Sequence, residues 1–287
     1  MLRGGDMLVR RGQMALLGVL CVGLASCGDD LSPDPSGAGD KPSEYQPGWV
    51  GQVRLLSGSG GAQAVFRDRP DPLAPEIRAV EGECALYTRP DEGLCSGACP
   101  DGVCTPANQC APTPRPASAG IITVTGLRQG LRFAPGPRGY EPETPPPSEL
   151  FDVGASIRIT APGDSMPPFS AQLSGVPPLE VGFDTVTLQS GRPTRLTWTA
   201  AGVGRVALEL ILARPGAPFS VMLLCESDDN GALTIPAGIA SRLRGPLAGE
   251  EESVTMTRLE RAVVASPAGP IEVVVGSRAV VGIERRP

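Results

Sequence analysis

Val206-Ala207-Leu208-Glu209-Leu210-Ile211-Leu212 (VALELIL) decides how the rest of the chain reads. Valine or leucine returns at every second position, so an extended strand here has one wholly aliphatic face. Its other face carries Ala207, Glu209 and Ile211. Just upstream, Leu196 and Trp198 alternate with Arg195, Thr197 and Thr199. Further out, Ile157 and Ile159 flank Arg158, and Ile122 and Val124 interleave with Ile121, Thr123 and Thr125. Near the start, Val50, Val53, Leu55 and Leu56 lead through Ser57-Gly58-Ser59-Gly60-Gly61 into Ala64-Val65-Phe66, a strand–turn–strand pattern. Val273 and Val275 form a last run before Val280, Val281 and Ile283. Only Ile239 to Leu243, after Pro236, reads as a short helix. The count is about fifteen short strands with turn signals between them, which predicts an all-β fold of β-sandwich modules, Ig-like or jelly-roll-like.

Composition agrees. The 287 residues include 37 Gly and 32 Pro, which break elements often, yet 41% are hydrophobic, too many for a disordered chain. Proline-rich passages at 135–148 and 174–182 offer boundaries. The first reads as a long loop. The second places a cut between a sandwich over 48–182, with a Cys-rich knuckle at 84–110, and a second sandwich over 183–287 whose core holds Leu196, Trp198, Leu208 and Leu210.

The first 26 residues read as a signal peptide. Arg3, Arg10 and Arg11 precede an apolar run, Met14 to Leu24, too short for a span of about 20 residues. Met7 would also serve as a start. Leu24-Ala25-Ser26-Cys27 resembles the lipobox of bacterial lipoproteins, whose cysteine is thioether-linked to diacylglycerol and becomes the new N-terminus. The resemblance implies lipidation of Cys27. More than one acyl chain anchors stably, so membrane lipid is an expected partner. Residues 27–47 are rich in Asp, Pro, Ser and Gly and read as a flexible tether. The expected location is the cell envelope, outer membrane rather than inner, with the folded part outside the cytoplasm. The net charge of −6, with Lys41 the sole lysine, excludes phosphate-backbone binding, so no nucleic-acid partner is expected.

Cys84, Cys95, Cys99, Cys104, Cys110 and Cys225 remain after Cys21 and Cys27 are set aside. The spacing CSGACPDGVCTPANQC admits a tetrathiolate zinc site or disulfides. An oxidising compartment favours disulfides; six cysteines allow 15 connectivities, of which Cys95–Cys104 and Cys99–Cys110 are the expected pairs, with Cys84–Cys225 left open.

Histidine is absent, which excludes Ser-His-Asp and Cys-His catalysis. Gly163-Asp164-Ser165 matches the nucleophile block of GDS-type esterases only up to their missing histidine base. The glycines at 58–61 are followed by a strand, not by the helix a dinucleotide fingerprint requires. Asp228-Asp229-Asn230-Gly231 reads as a hairpin turn before a Ca²⁺ loop, and Glu250-Glu251-Glu252 as a solvated loop. No catalytic, cofactor or metal residue is assigned. A carboxylate-dependent polysaccharide hydrolase survives as the alternative, since Asp and Glu are plentiful.

The lipobox, the tether, the cysteine knuckle, and the segments SAGIITVTGL, LTWTAAG, CESDDNGALTIPA and GPIEVVVGS together resemble uncharacterised myxobacterial lipoproteins. The resemblance implies an envelope location and β architecture and carries no activity. The expected function is non-catalytic binding or scaffolding, with an envelope protein or polysaccharide as partner. Cys27→Ala is expected to abolish incorporation of a clickable fatty acid, and equal labelling of variant and wild type would refute the lipobox reading.

Overall fold

The computed structural model describes residues 48–58, 61–136, 139–215 and 219–286. The segments read as signal peptide and tether, with Cys27, lie outside the described residues. So do Ser59 and Gly60. The strands are β1 (Gly51–Gly58), β2 (Gly61–Phe66), β3 (Glu76–Glu81), β4 (Cys84–Thr88), β5 (Gly102–Cys104), β6 (Cys110–Pro112), β7 (Ile122–Thr125), β8 (Leu131–Gly136) and β9 (Gly139–Pro142). They continue as β10 (Ser156–Ala161), β11 (Phe169–Ser174), β12 (Thr185–Gln189), β13 (Thr194–Thr197), β14 (Arg205–Ala213), β15 (Phe219–Asp228) and β16 (Ala232–Ile235). After the short helix α1 (Ala237–Arg242) come β17 (Glu251–Val264) and β18 (Ile271–Arg286). The chain is all-β, as its alternation predicts.

One fourteen-stranded mixed sheet runs through thirteen strands in the order β11-β10-β7-β8-β9-β2-β1-β18-β17-β14-β15-β4-β3, with β12 as the fourteenth, paired to β18 off this path. The first half of β18 pairs in parallel with β1, and its second half pairs in parallel with β12. β13 with β16, and β5 with β6, form two small ladders. β1 and β2 form the expected antiparallel pair. The proline-rich passage at 135–148, expected as a loop, carries the end of β8 and all of β9, which pair antiparallel. The final run, expected as separate short pieces, is one strand of 16 residues. Gly276 does not break it. A Cβ there would lie 2.8 Å from the Arg258 carbonyl oxygen and 3.0 Å from Leu56, so the glycine permits close packing instead.

β17 and β18 are the spine of two hydrophobic cores. On one face of the sheet, Ile271, Val273 and Val275 enter the first core, with Val53 and Leu55 of β1, Ile122, Phe133, Ile157, Ile159 and Phe169. Further along β18, Val281 enters the second core, beside Val254 and Met256 of β17 and Val206, Leu208, Leu210 and Leu212 of β14. The opposite wall of that core is Val186, Leu196, Trp198, Leu233, Ile235 and Ile239 of α1. The first half of the sheet curls back until β11 meets β17, where the Ser174 N–H donates to the Glu260 carboxylate at 2.7 Å. The first core draws on residues 50–176 and 271–275, and the second on residues 79–86, 179 and 186–281. Cys84 and Leu86 of β4 serve the second core, and the first half of β18 serves the first.

Between the cores, on the same sheet face, Arg258 of β17 stands opposite Ser277 of β18. Residues 177–179 cross over this pair. The Arg258 guanidinium donates to the carbonyl oxygens of Pro177, Pro178 and Thr199, and the Leu179 N–H donates to the Ser277 hydroxyl at 3.0 Å. Arg258 is 2% exposed, so its charge demands a counter-ion. Asp229 supplies it, with Arg258 Nε 3.0 Å from Asp229 Oδ2. The same carboxylate accepts from the Trp198 indole at 2.6 Å and the Ala201 N–H at 2.8 Å. The Asn230-Gly231 turn follows, with Gly231 at φ 89°. The strand after the turn does not fold back on β15, as a hairpin would. β16 crosses to pair with β13, and Asp229, just before the turn, bonds to Trp198 and Arg258.

Burial pushes the Asp229 carboxyl up, but Trp198, the Ala201 amide and Arg258 outweigh it and hold the group below its ordinary 3.8. A depressed carboxyl contributes stability that is complete above the unfolded value and is lost as pH falls through the folded one. Asp229→Asn leaves a buried guanidinium without its counter-charge, a loss of about 3–5 kcal/mol. At neutral pH its melting temperature is expected to fall on the order of 10 °C. The gap to wild type should narrow as pH drops below about 4. A pH-independent gap in thermal melts would refute the ion-pair account.

Candidate functional site

The second face of the spine is not apolar throughout. Leu56, Ala207, Leu259 and Val274 form one small buried cluster there, and Ala85, Tyr87 and Met222 form another, with Leu224 touching both. Where the clusters meet, a cleft of about 180 Å³ opens. Its floor is Ala207 of β14, Met222 and Leu224 of β15, and Leu259 of β17. Trp49 and Phe219 stand on its walls. Its polar groups are Gln52 and Arg54 of β1, Glu209 of β14, Thr257 and Arg261 of β17, and Glu272 of β18. Each sits at the position in its strand whose neighbours face the large cores, which is why alternation delivers them to one surface.

These groups form two fixed ion-pair systems. In the first, the buried Glu226 carboxylate is held by Arg205 at 2.9 Å and by Arg261 at 2.9 Å. Arg261 Nε then reaches Glu272 at 2.7 Å, and the Gln52 amide donates to the other Glu272 oxygen. In the second, Glu209 lies 3.9 Å from Arg54 and 3.7 Å from Arg278. Burial pushes the Glu272 carboxyl up, opposed by Arg261, Gln52 and Arg54. Burial pushes the Arg278 guanidinium down, opposed by Glu209 and reinforced by Arg54. The arrangement presents acceptor-only carboxylates beside donor-only guanidinium groups, on a rigid sheet, above an apolar floor.

None of the cleft's polar residues was legible as a site in the sequence, where each looks like the solvated side of a strand. Gln52 and Glu272 are 220 residues apart and meet only through the parallel β1–β18 register.

The residues singled out by their motifs go elsewhere. Ser165 of Gly163-Asp164-Ser165 accepts from the Ser118 N–H at 2.7 Å and donates to the Ser118 carbonyl, fastening two loops together. Glu250, expected in a solvated loop, has a side chain 5% exposed and is clamped by Arg244 at 2.6 and 2.9 Å, Ser220 at 2.6 Å and the Leu247 N–H at 2.8 Å. The Arg244 contact is the chief reason its carboxyl lies well below the usual range. Glu251 and Glu252 open β17, and Glu252 pairs with Arg285.

The cysteines form Cys84–Cys225, Cys95–Cys104 and Cys99–Cys110. The last two hold the β5–β6 hairpin to the segment before it. Asn108 takes a left-handed φ of 56° in the hairpin turn, where its Oδ1 accepts from the Leu94 N–H. The sulfurs of Cys95, Cys99 and Cys110 lie within 4.8 Å of one another, but in bridges they offer no thiolates for zinc. Cys84 and Cys225 are register partners on β4 and β15, and both are fully buried.

No protein-family model matches the chain, and comparison with curated proteins and with solved structures finds no match. Among the described residues no helix is long and apolar enough to cross a membrane.

In the chain-entropy view, closing a loop of 141 residues with Cys84–Cys225 stabilises by about 5 kcal/mol, against about 3 for the short knuckle loops. Cys84→Ala/Cys225→Ala is therefore expected to lower the melting temperature more than Cys95→Ala/Cys104→Ala. Reduction should add two hydrogens per bridge by intact mass. The reverse order of melting temperatures would count against the core bridge as the dominant covalent restraint.

Proposed function

We propose that the protein is a lipid-anchored envelope lipoprotein that binds a ligand without transforming it, and that the cleft between β1, β14, β17 and β18 is its binding surface. The observation that carries this reading is the commitment of the cleft's carboxylates. Glu209 is paired with Arg54 and Arg278, and Glu272 with Arg261 and Gln52. A retaining or inverting glycosidase needs one carboxyl able to give up a proton to the leaving group and a second poised for water or the anomeric carbon. Glu272, which accepts from Gln52 and pairs with Arg261, has its acceptor directions set before a ligand arrives, and Glu209 lies in the field of two guanidinium groups, which favours recognition instead. The lipobox order around Cys27 and the resemblance to myxobacterial lipoproteins support an envelope location.

The test is a pull-down from cell envelopes with the tagged, lipidated full chain. Wild type is expected to retain an envelope component that Arg54→Ala/Glu209→Ala loses at least tenfold, while circular dichroism of the two proteins stays the same. Equal recovery by both would remove the cleft from the function.

A further inference from the structure

We infer that the cleft's ligand is a neutral saccharide chain, with one sugar ring seated between the Arg54–Glu209 and Arg261–Glu272 pairs. This rests on the reading of the cleft as a binding surface and names what it binds.

Charge comes first. The cleft is lined by two guanidinium groups, Arg54 and Arg261, and two carboxylates, Glu209 and Glu272. An anionic ligand meets both carboxylates at close range, and a cationic one meets both arginines. Only a ligand without net charge avoids a like-charge contact in a half-buried site, where such contacts are poorly screened.

Hydrogen bonding narrows the class. Arginine only donates and an ionised carboxylate only accepts. A hydroxyl does both, so a hydroxyl between Arg54 and Glu209 accepts from one and donates to the other. Arg261, Gln52 and Glu272, already bonded to one another, add donor and acceptor groups of the same kinds to the lining. Vicinal hydroxyls on a ring match two adjacent groups of this kind, whereas an amide offers its donor and its acceptor on separate atoms.

Shape and polarity complete the argument. Trp49, Phe219, Met222 and Leu224 in the lining supply apolar contact for the C–H face of a sugar ring. At about 180 Å³ the cleft is smaller than the usual 300–1,000 Å³ site of a drug-sized ligand, so it holds one unit of a longer chain. It lies on the face of a sheet and not along an edge, so strand addition by a peptide is not its mode.

The experiment uses the full chain purified in detergent, titrated calorimetrically with oligosaccharides of four to six units. Neutral gluco-, manno- and galacto-oligosaccharides are compared with oligogalacturonate and with chitosan oligomers. At least one neutral series is expected to bind, with the uronate and amine series at least tenfold weaker. Arg54→Met and Glu209→Gln should each weaken that binding at least tenfold, and Arg132→Met, on the remote strand β8, should leave it unchanged. Arg54→Lys, which keeps the charge but loses the planar fork, is expected to fall between wild type and Arg54→Met, which guards against a folding defect in the larger changes. A preference for the charged series, or neutral binding untouched by Arg54→Met and Glu209→Gln, would overturn the inference. Failure of every saccharide while the envelope pull-down keeps a cleft-dependent partner would overturn it too, yet leave the binding reading standing. Failure of both assays would remove both.

Discussion

The buried Arg258–Asp229 pair is the constraint on which the rest of the structure depends. A charge this deep in a protein costs several kcal/mol unless a counter-charge and hydrogen-bond acceptors offset it. Here these come from three separate stretches: the carbonyls of Pro177 and Pro178, the carbonyl of Thr199, and the carboxylate of Asp229. Those stretches cannot drift apart without exposing the charge to an apolar surround. The pair thus fixes where the chain crosses the long sheet, and that crossing is what separates one apolar surface into two cores. Hydrophobic packing alone would permit the crossing to slide along β17 and β18, since aliphatic side chains occupy both sides of it. The ion pair gives it one place.

The opposite face of the same strands gains from this rigidity. The carboxylates and guanidinium groups of the cleft are carried by β1, β14, β17 and β18, whose inner faces are packed against one core or the other. Movement of Glu209 relative to Arg54 would require Leu208 and Leu210, or Val53 and Leu55, to leave their cores. The recognition surface is therefore held by burial on its reverse side, at no added cost in loop ordering.

Some of this was legible in the sequence and some was not, for physical reasons. The alternation from Val206 to Leu212 is a local property, and it marked β14 and its buried face directly. The helix at Ile239 and the spacing of the knuckle cysteines were local in the same way. The length of β18 is not a local property, since what seats Gly276 inside the strand is its close approach to Leu56 and the Arg258 backbone. Arg258 itself, in Thr257-Arg258-Leu259, has the look of a solvated strand position, and Asp229 the look of a turn residue. Their burial depends on what crosses above them, which no window of neighbouring residues contains. The cleft was invisible for the same reason: its residues are distributed over five strands and the segment before β1, and only long-range register assembles them.

The parallel pairing of β1 with β18 also sets an order of events for a chain that emerges N-terminus first. Val53 and Leu55 are among the earliest residues of the folded part to appear, and their partners Val273 and Val275 are among the last. Until those arrive, β1 has an unpaired edge and the first core lacks a wall. The second core waits for Val254, Met256 and Val281 in the same way. Neither half can close early and shelter the other. Such non-local topologies fold slowly and leave strand edges open to wrong partners in the meantime. A chain interrupted before β17 would carry almost all of the apolar residues and neither finished core, so it would be recognisable to proteases and chaperones by its exposed edges.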